Sequence, residues 1–452
     1  MIQAIAGIFN INSSTSRSKA VVKNAVISLL LKGLSILLSF VFVPLYLGAV
    51  GQRQYGIILT ITSVSYFISF FDVGIGNGLR SKLGKAIANE DKHLGRQYVS
   101  TAYFYVTLLF ISFFLVYCFI SPFVKWYKIL NISVNEIPNL NSLVFIVIAI
   151  FSARFVFQLI GTIFMADQRS SLNDSISFTT SVLVVIVCYT LKALHSLSFY
   201  SLLITMVSLP LLVLIIYTFI SFVTRYKWLR PSLSFVDHDI RKDLLNLGFK
   251  FFLIQMVALT IFSTTNILIA QLFDIGEVTR YNIAYKYYNI TVMVYSILMS
   301  PLWGAFTNAW YKGETKWIIK NFKYYLGIIL FFVFINIAQY FIYPYFIHFW
   351  LKREMAVPEI LAISFILYNI VFCYNDIFAH FLASVGKIDR QVFAAVAGGI
   401  INIPITIYLA KYTQLGLSAI LFANILCLLP SSVVTTIQTI QLLRPKNAVN
   451  NT

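Results

Sequence analysis

Long apolar runs separated by short polar segments dominate this chain from residue 24 onward. Each run is close to the length of about 20 mostly apolar residues that a helix needs to cross a bilayer. The pattern predicts about twelve transmembrane helices, at residues 24–48, 55–78, 98–120, 140–166, 172–193, 197–222, 246–272, 278–301, 322–347, 358–384, 389–410 and 416–442. We therefore expect an all-α integral membrane protein.

The amino-acid composition also favours a membrane protein. The 452 residues are 59% hydrophobic and 11% charged, with a mean hydropathy of +0.83, whereas soluble domains average about 25% charged residues. Four cysteines lie inside apolar runs, at spacings that match no metal site, so we expect them to be packing residues without a disulfide. We expect one multi-pass protein that holds neither a metal nor an organic cofactor.

Lysine and arginine are distributed unevenly among the connecting segments. If the N-terminus is cytoplasmic, the inner segments hold 23 of the 34 Lys and Arg residues and the outer segments hold 8. Cytoplasmic loops of membrane proteins carry such an excess, so we expect both termini in the cytoplasm. Most of the net charge of +18 then reflects membrane topology, and we expect no nucleic-acid partner.

The two halves of the chain resemble each other. A shift of 226 residues, half the length, pairs four residues at equivalent helix ends: Tyr55 with Tyr281, Ile57 with Ile283, Gly78 with Gly304, and Tyr98 with Tyr324. Because each half holds an even number of helices, both halves enter the membrane from the same side. The pattern predicts two six-helix bundles, residues 1–226 and 227–452, related by a parallel pseudo-twofold repeat with a substrate path between them.

Three cations, Lys32, Arg154 and Lys286, lie within predicted spans. A charged side chain at the bilayer centre costs about 2.5–3.5 kcal/mol on insertion scales, so such residues are candidates for function. Helical spacing places polar side chains near them or on facing helices, and we expect these to line the same path: Gln158, Asn282, Asn289 and Asn369. Two other interpretations stay open, since the lysines could snorkel towards a span end and Arg154 could belong to a structural ion pair.

Acidic and imidazole groups within the spans suggest ion coupling. Asp376 and His380 are four residues apart on one predicted helix face, where they could relay protons or bind Na⁺. Asp72, near the inner boundary of the second span, is a further candidate, although it could instead pair with Arg80 or cap a helix. The driving force would be an H⁺ or Na⁺ gradient or downstream consumption of the product. Because the sequence carries no nucleophile elbow, P-loop or paired-carboxylate pattern, we do not expect an enzyme.

A glycine-rich stretch from Phe71 to Lys82 follows the second apolar run and reads Phe-Asp-Val-Gly-Ile-Gly-Asn-Gly-Leu-Arg-Ser-Lys. It lacks the third glycine of a dinucleotide fingerprint, since Leu79 stands there. We expect its glycines to end a membrane helix, and a direct ligand-binding loop is the alternative. A basic segment and then Tyr98-Val99-Ser100-Thr101-Ala102-Tyr103 come after it. This arrangement resembles the polysaccharide transporters, which include the Wzx-type O-antigen flippases of the multidrug/oligosaccharidyl-lipid/polysaccharide (MOP) exporter superfamily.

The resemblance implies a flippase that moves a polyprenyl-pyrophosphate-linked oligosaccharide, the repeat unit of O-antigen lipopolysaccharide or another surface polysaccharide, across a bacterial inner membrane by alternating access. The implied partners are this lipid-linked sugar, membrane lipids, a polymerase and a chain-length regulator.

Three alternatives to this flippase fit the sequence less well. A small-solute or cationic-drug exporter of the same superfamily is opposed by the interior cations, which suit pyrophosphate instead. A membrane-embedded polymerase or glycosyltransferase is opposed by the short outer segments. A peptidoglycan-precursor flippase is opposed by the helix count.

Overall fold

The computed structural model describes residues 16–68, 75–240, 264–299, 306, 309–310, 312–352, 354–385, 387 and 389–444. Within these residues the regular structure is entirely helical, which confirms the predicted all-α class. The α-helices are α1 Ser16–Ile68, α2 Ile75–Ala88, α3 Lys92–Ile120, α4 Trp126–Leu130, α5 Leu140–Ala166, α6 Ser170–Ala193, α7 Phe199–Val223, α8 Thr265–Leu272, α9 Ile275–Met299, α10 Thr315–Leu351, α11 Glu359–Ser384, α12 Asp389–Tyr412 and α13 Ser418–Leu443.

The helices follow the predicted spans closely. The first two spans are joined in α1, where the backbone leaves helical geometry only at Gly51, with φ 74° and ψ 175°. Among the described residues, nine helices are long and apolar enough to cross a membrane. The predicted eighth span, α9, is not among them, because polar residues such as Asn282, Lys286 and Asn289 lower its mean hydropathy. The predicted seventh span lies outside the described residues except for its last part, which includes α8.

Two predicted helix boundaries are wrong for one physical reason. The third and ninth spans begin at Lys92 and Thr315, earlier than predicted, because backbone hydrogen bonding continues through a polar first turn that hydropathy does not register. The glycines Gly76 and Gly78 lie in the first turns of α2, and both are buried. They therefore lie at the start of α2. The prediction that they end the second span also involves residues 69–74, which lie outside the described residues. Gly74 lies outside the described residues.

The chain divides into two compact units. The first comprises Met1–Leu259 with Asn266–Thr279, and the second comprises Thr260–Thr265 with Arg280–Thr452. The segment Asn266–Thr279, which holds most of α8 and the first turn of α9, thus packs with the first unit. The repeat-derived halves 1–226 and 227–452 stay a prediction.

In the first unit, α1 packs along α6, α5 packs on α7, and the short helix α2 lies against α3 and α5. The apolar side of α2 contributes the fully buried Leu79 and Leu83 to this contact. Phe110 of α3 stacks on Phe155 of α5 with ring centroids 4.6 Å apart. Lipid is as apolar as these side chains, so close packing rather than water exclusion holds the helices together.

The second unit is built from α9 beyond Thr279, α10, α11, α12 and α13. A Cβ added at Gly398 of α12 would lie 2.8 Å from the carbonyl oxygen of Cys427 in α13, so glycine allows these two backbones to approach closely. A cluster of stacked aromatic rings fills the contact between α10 and α11, with Phe322 and Phe378 centroids 5.1 Å apart.

Polar segments that the charge pattern assigns to the cytoplasm meet at one end of the first unit. Arg96 of α3 donates to the carbonyl oxygen of Arg230 at 3.1 Å, and its guanidinium lies 4.1 Å from the ring centroid of Phe235. The hydroxyl of Thr101 accepts the backbone N–H of Asp237 at 3.0 Å. The segment that follows α7 is therefore bound along the first turns of α3.

Candidate functional site

Lys32 lies on α1 within the first unit, beside Asp174, an acid that is not among the predicted site residues. Its Nζ is 3.7 Å from Oδ2 of Asp174, near the start of α6. Ser28, one turn earlier on α1, donates its hydroxyl hydrogen to the same carboxylate oxygen. The Asp174 side chain is 11% exposed and the Lys32 side chain 58%. A buried carboxylate is therefore paired with an accessible cation.

Arg154 and Gln158 occupy successive turns of α5 in the first unit. Arg154 is half-buried, and its guanidinium carbon lies 5.5 Å from the ring centroid of Phe151, within the range of a cation–π contact. Gln158 is exposed. Phe151 covers one side of the cation and so reduces its contact with solvent or lipid.

Lys286 lies on the part of α9 that belongs to the second unit. Asn282 and Asn289, about one turn away on either side, share its helix face, and all three side chains are half-buried. The predicted polar face of the eighth span is thus present. The three predicted cations are divided between the units, with Lys32 and Arg154 in the first and Lys286 in the second. Their common path stays a prediction.

Asn369 belongs to a buried hydrogen-bond network that joins α9, α10 and α11. Its amide nitrogen donates to the carbonyl oxygen of Tyr288 at 3.0 Å and to Oδ1 of Asn336 at 2.9 Å. Gln339, almost one turn after Asn336, donates to the carbonyl oxygen of Tyr287 at 3.1 Å and accepts from Thr291 at 2.7 Å. Neither Asn336 nor Gln339 is among the residues predicted from the sequence, although both interrupt the apolar ninth span.

Asp376 and His380 are brought together on α11, as predicted from their spacing. His380 Nδ1 lies 3.1 Å from Oδ1 of Asp376, and both side chains are half-buried. The hydroxyl of Tyr295 on α9 donates to the carbonyl oxygen of Cys373, one turn before Asp376, at 2.8 Å. The third ion-coupling candidate, Asp72, lies outside the described residues.

A further ionic cluster in the first unit joins segments that the charge pattern places outside. Arg53, just after the break at Gly51, binds Glu136 through Nε and Asp274 through Nη1, the latter at 2.5 Å. The hydrogen bond from Arg53 lowers the pKa of the Glu136 carboxyl. Arg53 thereby ties α1 to the segment before α5 and to the turn before α9.

A second ionic cluster lies at the opposite end of the first unit, in segments predicted to be cytoplasmic. Asp167 accepts the hydroxyl hydrogen of Tyr226 at 2.8 Å and lies 3.1 Å from Nε of Arg169. Burial, and then the bond to Asp167, raises the pKa of Tyr226.

The described part of the chain contains no group of three or more His, Cys, Asp or Glu side chains placed to hold a metal ion.

Comparison with known proteins finds similarity in sequence and in fold. A relative from Yersinia pseudotuberculosis named "Putative O-antigen export protein" is 21% identical over 389 residues, which cover 78% of this chain and 81% of the relative. The fold resembles a multidrug resistance MATE family transporter of the MOP superfamily in its inward-facing conformation, with TM-score 0.68, 14% identity, and 93% and 98% of the two chains covered.

An outward-facing structure of a MATE transporter gives TM-score 0.60 at 12% identity, with 94% of this chain and 96% of that chain covered. These similarities confirm that the fold resembles that of MATE transporters of the MOP superfamily. The sequence profile of the family described as "Polysaccharide biosynthesis protein" matches residues 21–303, more than half of the chain. This chain therefore belongs to the polysaccharide biosynthesis protein family.

Proposed function

We propose that this protein is a flippase that moves a polyprenyl-pyrophosphate-linked oligosaccharide from the inner to the outer leaflet. The observation that carries this proposal is the family match over residues 21–303. That range includes all three interior cations, Lys32, Arg154 and Lys286. The relative named for O-antigen export supports a surface-polysaccharide repeat unit as the cargo.

The charge of the cargo gives the cations a physical role. An unpaired pyrophosphate in apolar surroundings would pay a desolvation penalty of many kcal/mol. One cation at about 4 Å stabilises the pyrophosphate by roughly 4 kcal/mol per unit charge at an effective dielectric constant of 20. Of the three proposed contacts between a cation and the pyrophosphate, the one with Lys32 has the most support, because more than half of the Lys32 side chain is accessible. Asn282 and Asn289 supply hydrogen-bonding groups for sugar hydroxyls beside Lys286.

Transport would proceed by alternating access without a chemical step on the cargo, and we assign no catalytic residue. An H⁺ or Na⁺ gradient would drive it, with Asp376 and His380 as coupling groups and Asp72 as a further candidate. The carboxylate and imidazole lie within hydrogen-bonding distance of each other, so protonation of one changes the charge that the other experiences.

The proposal also specifies location and partners. The protein would lie in the bacterial inner membrane with both termini in the cytoplasm. It would deliver its product to a polymerase and a chain-length regulator on the outer side. The MATE transporters share the fold, but a basic interior would repel cationic drugs, and this favours an anionic cargo.

Deletion of the gene tests this function directly. We expect lipid-linked oligosaccharide to be made in normal amount but to stay in the inner leaflet, inaccessible to an impermeant sugar-oxidising reagent added outside intact spheroplasts. The intact gene should restore accessibility, and so should a gene carrying Lys125→Met, a change in an exposed connecting segment. If the deletion strain makes no lipid-linked units, or displays them outside unpolymerised, the flippase assignment is wrong.

A further inference from the structure

Asp174, Ser28 and Lys32 form a small polar site inside the first unit. Ser28 and Lys32 lie one turn apart on α1, and both are directed at Oδ2 of Asp174. The serine hydroxyl donates a hydrogen bond, whereas the lysine Nζ is 3.7 Å away, beyond the usual 2.7–3.2 Å of such a bond. The serine therefore anchors the carboxylate, while the lysine neutralises it from slightly farther away.

The two charges of this site differ in accessibility. With 11% of its side chain exposed, Asp174 has lost most of its solvation and requires a compensating group. Lys32 is 58% exposed, and its ammonium has three donors, so it can turn to another anion without leaving α1. A ligand can thus reach this pair from the lysine side.

We propose that Asp174 is the resident counter-ion of Lys32 and that an incoming pyrophosphate group displaces it. This inference rests on the proposed flippase function and adds a residue that determines anion selectivity. A monoanion offers Lys32 no more charge than Asp174 already does. Pyrophosphate offers more than one charge and several acceptor oxygens, so it can compete. Asp174 is a positioning residue in this scheme, because it acts on the cargo through Lys32.

Binding of inorganic pyrophosphate to the purified full-length protein in lipid nanodiscs, measured by calorimetry, tests this inference. Asp174→Asn keeps an acceptor for Ser28 but removes the competing charge, so we expect affinity to rise about three- to tenfold. Adding Lys32→Met to that variant should abolish the gain. Asp91→Asn is the matched control: it makes the same charge change at the N-cap of α3, where asparagine caps as well as aspartate, and affinity should not change.

Ser28→Ala gives a prediction of opposite sign. Without the serine hydrogen bond, the carboxylate depends more on Lys32, so pyrophosphate should bind more weakly than to the unmutated protein. If Asp174 and Lys32 form a purely structural ion pair, Asp174→Asn should lower thermal stability and leave the affinity for pyrophosphate unaltered. That result would overturn the proposal. If Asp174→Asn does not accumulate, unchanged or tighter binding by Ser28→Ala overturns it equally.

The same measurements separate this inference from the function on which it rests. Pyrophosphate binding that Lys32→Met abolishes, but that Asp174→Asn and Ser28→Ala do not alter, refutes the counter-ion role and leaves the flippase proposal standing. Absence of pyrophosphate binding by the unmutated protein refutes both.

Discussion

Arg53 offers a quantitative test of how the first unit is held together. Its guanidinium binds two carboxylates, those of Glu136 and Asp274, which come from segments far apart in the sequence. The Arg53 side chain is 47% exposed, so each ion pair should be worth only about 0.2–1 kcal/mol. Arg53→Met removes both pairs and leaves two carboxylates near each other. We therefore expect a loss of about 1–2 kcal/mol in unfolding free energy.

The loss should be partial because other bonds hold the same segment. Gln52 donates to the carbonyl oxygen of Gly276 at 3.1 Å, and Thr279 donates to the carbonyl oxygen of Gln52 at 2.7 Å. The start of α9 should therefore stay bound to α1 in the variant. We expect a lower thermal midpoint for the purified protein in detergent, with unfolding cooperativity preserved. Lys125→Met removes an equal charge from an exposed position at the predicted outer end and should leave the midpoint unchanged.

The pH dependence of this difference has a defined sign. Arg53 lowers the pKa of Glu136 in the folded protein, so the carboxylate contributes stability that is fully present above its ordinary pKa of about 4.3. That contribution is lost as pH falls through the lowered folded pKa. The gap between the unmutated protein and Arg53→Met should thus be full at neutral pH and shrink in acid or in high salt. Equal midpoints for Arg53→Met and Lys125→Met at neutral pH would refute this account of the cluster.

Three further changes test packing and transport. Gly398→Ala should lower the unfolding free energy by about 1–3 kcal/mol, because its Cβ would lie 2.8 Å from a backbone oxygen of Cys427. Gly327→Ala is the control in thermal unfolding and should not destabilise, because a Cβ there meets no atom within 4 Å. Asn369→Leu should lower the unfolding free energy by about 1 kcal/mol, because it breaks two hydrogen bonds between helices. An unchanged thermal midpoint would contradict this. Lys286→Ala should reduce polysaccharide export per membrane-inserted protein and Lys286→Arg should retain most of it; equal export by both contradicts a charge role.

The helices could be predicted because the length and hydropathy that identify each one lie within its own segment of the sequence. Runs such as 140–166 and 359–384 combine sufficient length with high hydropathy, and backbone groups in a bilayer must bond within their own helix. The eighth span is predictable despite Lys286, since most of its length is apolar. Sequence could not locate helix starts such as Lys92 and Thr315, where the first turn is polar.

Contacts between distant segments were not predictable by the same reasoning. Asp174 lies 146 residues from Ser28 and follows a polar turn, so nothing local distinguishes it from a solvated acid. Arg53 and Glu136 are 83 residues apart, and both read as ordinary connecting residues. By contrast, the contact between Asp376 and His380 needed only helical periodicity. Pairing within one helix is therefore readable from a single sequence, whereas pairing between helices requires the fold.

The polar residues inside the spans differ in how fully their polar groups are paired with other groups, and this difference bears on function. Asn369 is 2% exposed, and its amide bonds Tyr288 and Asn336. Such a group specifies helix packing, because disturbing it leaves buried polar atoms unsatisfied. Lys32 holds one anion at 3.7 Å while remaining mostly exposed, so a second anion can approach it without that penalty. Among the described residues, substrate contacts are therefore better sought beside Lys32 than in the Asn369 network, even though both are polar positions in membrane helices.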